Sequence, residues 1–233
     1  MKDERVHKQC KKITQIDEIS NLKELLINTR KKYGNENAFV FKTDKPNKLR
    51  YITYNEYIDE IEALGTALIN AGLKGKRIAV ISENRYEWTL GYLATVTGVG
   101  IIVPLDKSLP KNELINSLER SEAEAVFYSK KYEEIMGELN RNPNNKVKYY
   151  ISMDKEKSEN DMYSQKELIK IGKDLISNGD KRYIDAEIDN EAMSIMLFTS
   201  GTTAMSKAVM LSHKNLCANL MDIASILEIN ERD

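Results

Sequence analysis

The sequence predicts an α/β fold in which a mostly parallel sheet is flanked by helices. Continuously apolar runs such as RIAVI (77–81) and GIIVPL (100–105) indicate strands that are buried on both faces. Segments with apolar residues at helical spacing lie between these runs, and this alternation is typical of a parallel sheet covered on both sides. A chain of 233 residues is long enough to bury a substantial core.

The helices are predicted from their end signals and their periodicity. Ser20 is expected to cap a first helix that ends near Gly34. Thr53 and Glu56 have the spacing of a capping box and predict a second helix, which Gly72 ends. Further helices are predicted over 85–97, 110–120 and 132–140, and after a second capping-box pair, Ser164 and Glu167.

The strands are predicted from short apolar or β-branched runs, and a charged segment, 154–161, is predicted to be a surface loop. The predicted strands are 38–42, 49–54, 77–81, 100–105, 123–129, 146–153 and 192–198.

Composition excludes several classes of function. The formal net charge is -1, so no basic surplus points to nucleic acid. The first twelve residues are charged and lack the apolar core of a secretory signal. The two cysteines, Cys10 and Cys217, show neither pairing nor metal-ligand spacing, so a cytoplasmic location is expected.

One uncharged segment, 88–105, has the length of a membrane span. It contains three glycines, three threonines and a proline, which makes it a poor continuous helix. A buried helix that leads into a buried strand explains it better, and we expect no transmembrane segment.

The stretch FTSGTTAMSKAVMLSH (198–213) gathers hydroxyl side chains immediately before a single lysine, Lys207. It is not a Walker A loop, because Ser206 stands where that loop has glycine and Ala208 where it has serine or threonine. The apolar run after the lysine predicts a strand and not a helix. Backbone N–H groups of a strand–loop–strand connection can form a nest for phosphate oxygens. The alternative is a polar hairpin whose hydroxyls only satisfy the turn.

This stretch resembles the phosphate loop of the acyl-adenylate-forming enzymes, which include the AMP-forming acyl-CoA synthetases. The family pattern is roughly [ST]-[ST]-G-[ST]-[ST]-G-x-P-K-G-V-x-x-[ST]-H. The resemblance extends upstream over 53–88 and 98–129, and covers essentially Ile19 to the C-terminus. The segments SENRYEW and VPLDKSLP are most similar to the corresponding segments of long-chain fatty-acid–CoA ligases. The positions that match the pattern are Thr199, Ser200, Gly201, Thr202, Thr203, Lys207, Val209, Ser212 and His213.

The resemblance implies a two-step reaction. A carboxylate such as a fatty acid attacks the α-phosphorus of ATP, which gives acyl-AMP and pyrophosphate, and the acyl group then passes to CoA. Mg²⁺ would be the bridging cation, and Lys207 would neutralise charge on the leaving group. The residues that would wrap the phosphates are Thr199, Ser200, Gly201, Thr202 and Thr203.

The chain departs from the family pattern at Ala204, Ser206 and Ala208, where the family usually has Gly, Pro and Gly. The family's catalytic residues are expected beyond Asp233, so this chain alone is predicted to be inactive. We expect a charged tail over 1–18 and an incomplete N-terminal adenylation domain over 19–233. Two alternatives stay open: a non-catalytic nucleotide-binding or interaction module, and a ligase that transfers the acyl group to a carrier protein.

Structural roles are predicted for several other conspicuous side chains. His213 is expected to be structural rather than a proton-transfer group. The aromatic residues of the third helix, Trp88 among them, are expected to pack and not to line a fatty-acid tunnel. The basic cluster at 74–77 is expected to be a solvated turn, with a contact to CoA phosphates as the weaker alternative.

Overall fold

The protein was analysed as a computed structural model that describes residues 17–42, 48–199 and 207–227. The strands of the described chain are β1 (Asn37–Lys42), β2 (Leu49–Thr53), β3 (Arg77–Ile81), β4 (Ile101–Pro104), β5 (Ala125–Tyr128), β6 (Tyr149–Ser152), β7 (Met162–Ser164), β8 (Met193–Thr199) and β9 (Lys207–Ser212). The α-helices are α1 (Leu22–Tyr33), α2 (Tyr54–Asn70), α3 (Tyr86–Ala94), α4 (Lys111–Ser121), α5 (Glu133–Asn140), α6 (Gln165–Ser177) and α7 (His213–Ile226).

The main sheet has the strand order β7-β6-β5-β3-β4-β8-β9. All neighbours from β7 to β8 are parallel, and only the last strand, β9, runs antiparallel to β8. A separate antiparallel hairpin is formed by β1 and β2. The predicted mostly parallel α/β sheet is therefore confirmed.

Helices cover both faces of this sheet, as the buried strand patterns predict. On one face Ile78 and Val80 of β3 pack in the same cluster as residues of α2, α3 and α6, such as Leu64. On the other face Ala79 and Ile81 pack with α4 and α5. Successive residues of β3 thus pack into two separate cores on opposite faces of the sheet. For this reason apolar and polar residues do not alternate along the strand.

The capping box at the start of α2 is confirmed, because Thr53 and Glu56 accept each other's backbone N–H groups. The predicted cap of α1 is wrong by one residue. Asn21 is the N-cap and accepts the N–H of Glu24, while Ser20 donates from its own backbone and hydroxyl to the Glu24 carboxylate. Both positions carry residues that favour caps, and sequence alone does not rank them.

The box predicted at α6 is only half formed. Ser164 caps the helix by accepting the N–H of Glu167, but the Glu167 carboxylate accepts the N–H of Ser158 instead of returning to the cap. The loop before α6 folds back onto the start of the helix. Its Ser158 N–H therefore donates to the Glu167 carboxylate, which the capping-box pattern predicted would accept the N–H of Ser164.

The third helix is shorter than predicted. It ends at Ala94 and continues as a π-helical turn, Thr95–Val99, which Gly98 breaks with non-helical backbone angles. Strand β7, over 162–164, is absent from the predictions because three residues are too few to show an alternation. No helix in the described ranges is long and apolar enough to cross a bilayer.

Two glycines allow unusually close packing around α2. A Cβ placed on Gly172 of α6 would lie 1.7 Å from the carbonyl oxygen of Ala63 in α2. A Cβ on Gly65 would lie 2.0 Å from the ring of Tyr183, which is buried and hydrogen-bonded through its hydroxyl to Thr97 at 2.7 Å. The glycines therefore set the spacing between α2, α6 and the segment that follows α6.

Candidate phosphate-binding site at the β8–β9 hairpin

Strand β8 brings Thr199, the first residue of the predicted phosphate loop, to the carboxyl edge of the sheet. It is parallel to β4, so Thr199 at its end emerges on the same edge as the ends of the other parallel strands. Ligands of open α/β sheets bind outside this edge. The position of Thr199 therefore agrees with a ligand-binding role.

Both described ends of the loop are fixed by the hairpin ladder. Thr199 and Lys207 are direct partners across β8 and β9, and the Thr199 hydroxyl donates to the Lys207 carbonyl at 3.4 Å. Both residues are exposed. The structure thus brings together the first hydroxyl and the single lysine of the predicted site.

The remaining predicted phosphate ligands lie outside the described residues. They are Ser200, Gly201, Thr202 and Thr203, and two of the three departures from the family pattern, Ala204 and Ser206, lie there as well. The third departure, Ala208, is part of the regular ladder opposite Phe198. An extended backbone accepts any L-residue, so alanine introduces no strain at this position.

The secondary structure that follows Lys207 distinguishes a Walker A loop from a strand–loop–strand connection. A Walker A loop opens a helix, whereas Lys207 here begins a strand that pairs antiparallel with β8. The predicted strand–loop–strand arrangement is confirmed. Among the described residues, no carboxylate lies within ion-pair distance of Lys207.

His213 fixes the base of this hairpin from inside the protein. Its Nδ1 accepts the backbone N–H of Leu22 at 3.2 Å, so the proton is on Nε2, which donates to the Val96 carbonyl at 3.0 Å. The imidazole is only 1% exposed. It joins the start of α7, the start of α1 and the π-helical turn, and the predicted structural role agrees with these contacts.

Acidification is expected to weaken this junction. Burial lowers the pKa of His213 below its ordinary value of 6.5, although the hydrogen bond to Val96 opposes the shift. The unfolded chain therefore binds a proton at higher pH than the folded chain, and stability falls as the pH drops through about 6.5. Urea unfolding between about pH 7.5 and about pH 5.5 measures this loss, and His213→Gln should flatten the profile. An unchanged profile in that variant would contradict the assignment.

The carboxyl edge carries a charged network that the sequence predictions missed. Arg85 forms ion pairs with Asp154 at 2.8 Å and Glu87 at 2.7 Å, and Asp154 also accepts the backbone N–H of Lys130 at 2.6 Å. Burial opposes the charge of Arg85, but its hydrogen bonds to Glu87 and Asp154 outweigh burial and raise its pKa. The network joins the loops after β3, β5 and β6. The segment SENRYEW includes Arg85, the central residue of this network. No sequence pattern near Arg85 indicated that Asp154 would be its partner.

The other conspicuous side chains have structural contacts. Trp88 stacks on Tyr92 at 5.1 Å between ring centroids, as expected for packing. In the basic cluster, Lys74 donates to the Gly98 carbonyl at 2.6 Å. Lys76 and Arg77 of this cluster form ion pairs with Glu124 and Glu122.

Comparison with known proteins decides the family. The sequence model of the AMP-binding enzyme family matches residues 27–233. The chain belongs to this family. The match includes every predicted phosphate-loop residue and all of the main sheet.

The individual relatives share less than a third of their aligned residues with this chain. It is 28% identical over 232 residues to fatty acyl-CoA synthetase B of Dictyostelium discoideum, covering 93% of this chain and 34% of that protein. It is 28% identical over 197 residues to long-chain-fatty-acid–CoA ligase 5 of Rattus norvegicus, covering 79% and 28% respectively. The chain thus spans about a third of the length of these curated relatives.

Solved structures agree with the fold. The long-chain-fatty-acid-CoA ligase FadD1 of Archaeoglobus fulgidus gives a TM-score of 0.75 at 19% identity, covering 94% of this chain and 42% of that chain. The inhibitor-bound N-terminal domain of FACL13 from Mycobacterium tuberculosis gives 0.74 at 19% identity, with coverages of 92% and 50%. The chain therefore has the fold of about half of that N-terminal domain.

Proposed function

We propose that this chain supplies the ATP phosphate-binding part of an AMP-forming fatty-acid–CoA ligase. The observation that carries the proposal is the pairing of Thr199 with Lys207 at the carboxyl edge of the sheet, which places a hydroxyl and a cation at the two ends of one loop. Membership of the AMP-binding family and similarity to fatty acyl-CoA synthetases support ATP and a carboxylate as the substrates, with CoA as acceptor.

The proposed reaction has two steps. A carboxylate oxygen attacks the α-phosphorus of ATP, the bond from that phosphorus to the bridging oxygen breaks, and pyrophosphate leaves. The CoA sulfur then attacks the acyl carbon, its proton is lost to solvent or a base, and AMP leaves. Lys207 would stabilise the charge that develops on pyrophosphate, and the hydroxyls from Thr199 to Thr203 would hold its oxygens. Positioning and electrostatic stabilisation supply most of the catalysis in phosphoryl-group chemistry.

Mg²⁺ would neutralise phosphate charge when bound. Among the described residues, no group of three or more His, Cys, Asp or Glu side chains could hold a metal ion. Mg²⁺ at nucleotide sites is usually held by one or two carboxylates together with the phosphates themselves.

The proposal includes the extent and the location of the domain. We place an incomplete N-terminal adenylation domain over 19–233 and the reaction in the cytoplasm. Support for the first comes from the family match over 27–233 and the coverage of about half of a solved N-terminal domain. Support for the second comes from two cysteines without a pairing pattern, of which Cys217 is free and buried.

ATP–pyrophosphate exchange tests the function. We expect fatty-acid-dependent exchange from the complete product of the reading frame that contains these residues, and none from the 233-residue chain alone. Short, medium and long acids should be compared, so that the exchange rate measures the preferred length of the carboxylate. Exchange by neither protein with any acid would contradict the ligase assignment.

A non-catalytic nucleotide-binding module is the second candidate. The residues Ala204 and Ser206, in place of the family's glycine and proline, favour it because they alter the loop itself. ATP binding without exchange by the complete product would select this candidate. Transfer of the acyl group to a carrier-protein thiol but not to CoA in the second step would select a carrier-protein ligase.

A further inference from the structure

A second cleft lies beside α6, and neither Thr199 nor Lys207 lines it. Its walls come from β2, α2, α3 and α6, and its volume is about 450 Å³. Pockets that bind small molecules have volumes in this range. The predicted phosphate site does not account for this cleft.

The cleft has a surplus of positive charge. Its four cationic side chains are Arg50, Lys166, Lys170 and Lys173. Only two carboxylates line it, so the surplus is four minus two, or two positive charges. Lys166 is paired with Glu156 outside the cleft. In the described ranges, neither Arg50 nor Lys170 forms an ion pair.

The two carboxylates of the cleft are already engaged. Glu60 accepts a hydrogen bond from the Tyr86 hydroxyl at 3.0 Å and lies 4.0 Å from Lys173. Glu87 accepts from Arg85 at 2.7 Å. The free charge that faces the cleft is therefore cationic, and a dianion would balance it.

The remaining lining combines an apolar wall with a buried amide. Tyr86, Leu90 and Ile169 form the wall. Gln165 is 1% exposed, and its Nε2 donates to the Glu87 carbonyl at 2.9 Å, which fixes the orientation of the amide. The lining thus adds an apolar surface to the cationic side chains.

We propose that this cleft binds a small phosphate ester that carries a ring. The phosphate dianion would meet Arg50 and Lys170, and the ring would lie on the wall of Leu90 and Ile169. A mononucleotide combines these groups at a size that the cavity accommodates.

Methyl NMR on the full 233-residue chain tests the proposal with AMP as the probe. Methyl groups of Leu90 and Ile169 report the cleft, whereas those of Leu197 and Val209, on β8 and β9, report the hairpin separately. We expect saturable shifts at Leu90 and Ile169, weaker binding of ribose 5-phosphate at the same methyl groups, and weakest binding of inorganic phosphate.

The double variant Arg50→Gln, Lys170→Gln should weaken AMP binding at these methyl groups about tenfold or more, because two charge-assisted contacts are lost. Lys181→Gln, an exposed lysine outside the cleft, is the control and should bind as the unaltered chain does. Arg50, Lys170 and Lys181 are all exposed, so their substitution should not disturb the fold. An unchanged methyl spectrum without AMP shows that each variant is folded.

Three results would overturn the proposal. The first is the absence of shifts at Leu90 and Ile169 when AMP is added. The second is equal AMP affinity in the double variant and the control. The third is equal binding of AMP and inorganic phosphate, which would leave a simple anion site and remove the ring from the assignment.

Discussion

Replacing Gly172 by alanine is expected to lower the free energy of unfolding by about 3 kcal/mol or more, at the upper end of overpacking costs. The new Cβ would lie 1.7 Å from the Ala63 carbonyl oxygen. That oxygen belongs to the backbone of α2, so no side-chain rotation relieves the clash and the two helices must separate. Alanine is better than glycine in a helix by about 1 kcal/mol, which is too small to compensate.

Gly137→Ala is the matched control for this prediction. Gly137 is also inside a helix, but its added Cβ would meet its nearest neighbours at 3.7 Å, an ordinary contact. We expect this variant to be stabilised by about 1 kcal/mol through helix propensity alone. Urea unfolding measures both changes. If the two variants changed stability equally, the close approach of α2 and α6 would be contradicted.

Local patterns predicted most element types correctly. The runs around β3 and β4 are apolar without alternation because both faces are buried, and that property is visible in the residues themselves. The capping box at Thr53 is also local, since both partners lie within one helical turn. The loop motif was equally visible, because its hydroxyl residues and its lysine are adjacent in sequence.

Contacts between distant residues could not be predicted in this way. His213 accepts from Leu22, which is 191 positions away, and no periodicity encodes such a pair. The same is true of Arg85 with Asp154 and of Gly172 against Ala63. The strand order of the sheet and the cleft beside α6 likewise depend on how the elements pack.

Substituting Lys207 by alanine is expected to have the largest effect on nucleotide binding. The side chain is exposed at the end of the loop, and within the described chain it has no carboxylate partner to leave unpaired. Its loss should therefore affect the ATP phosphates and not the stability of the fold. Removing one charge-assisted contact is expected to weaken ATP binding by about 10- to 100-fold.

Lys214→Ala provides the control, because it removes an exposed lysine nearby in the sequence whose charge is paired with Glu191. It should leave ATP affinity unchanged. Lys207→Arg keeps the charge and should retain part of the affinity. Equal urea midpoints for the three variants would show that the comparison reports binding rather than folding.

Calorimetric titration of ATP into the unaltered chain, Lys207→Ala and Lys214→Ala tests the central claim most directly. The claim is that the β8–β9 loop holds the phosphates of ATP. We predict that only Lys207→Ala loses affinity, and that pyrophosphate competes with ATP for the same site. Equal ATP affinity in all three proteins would contradict the claim and place nucleotide binding elsewhere in the protein.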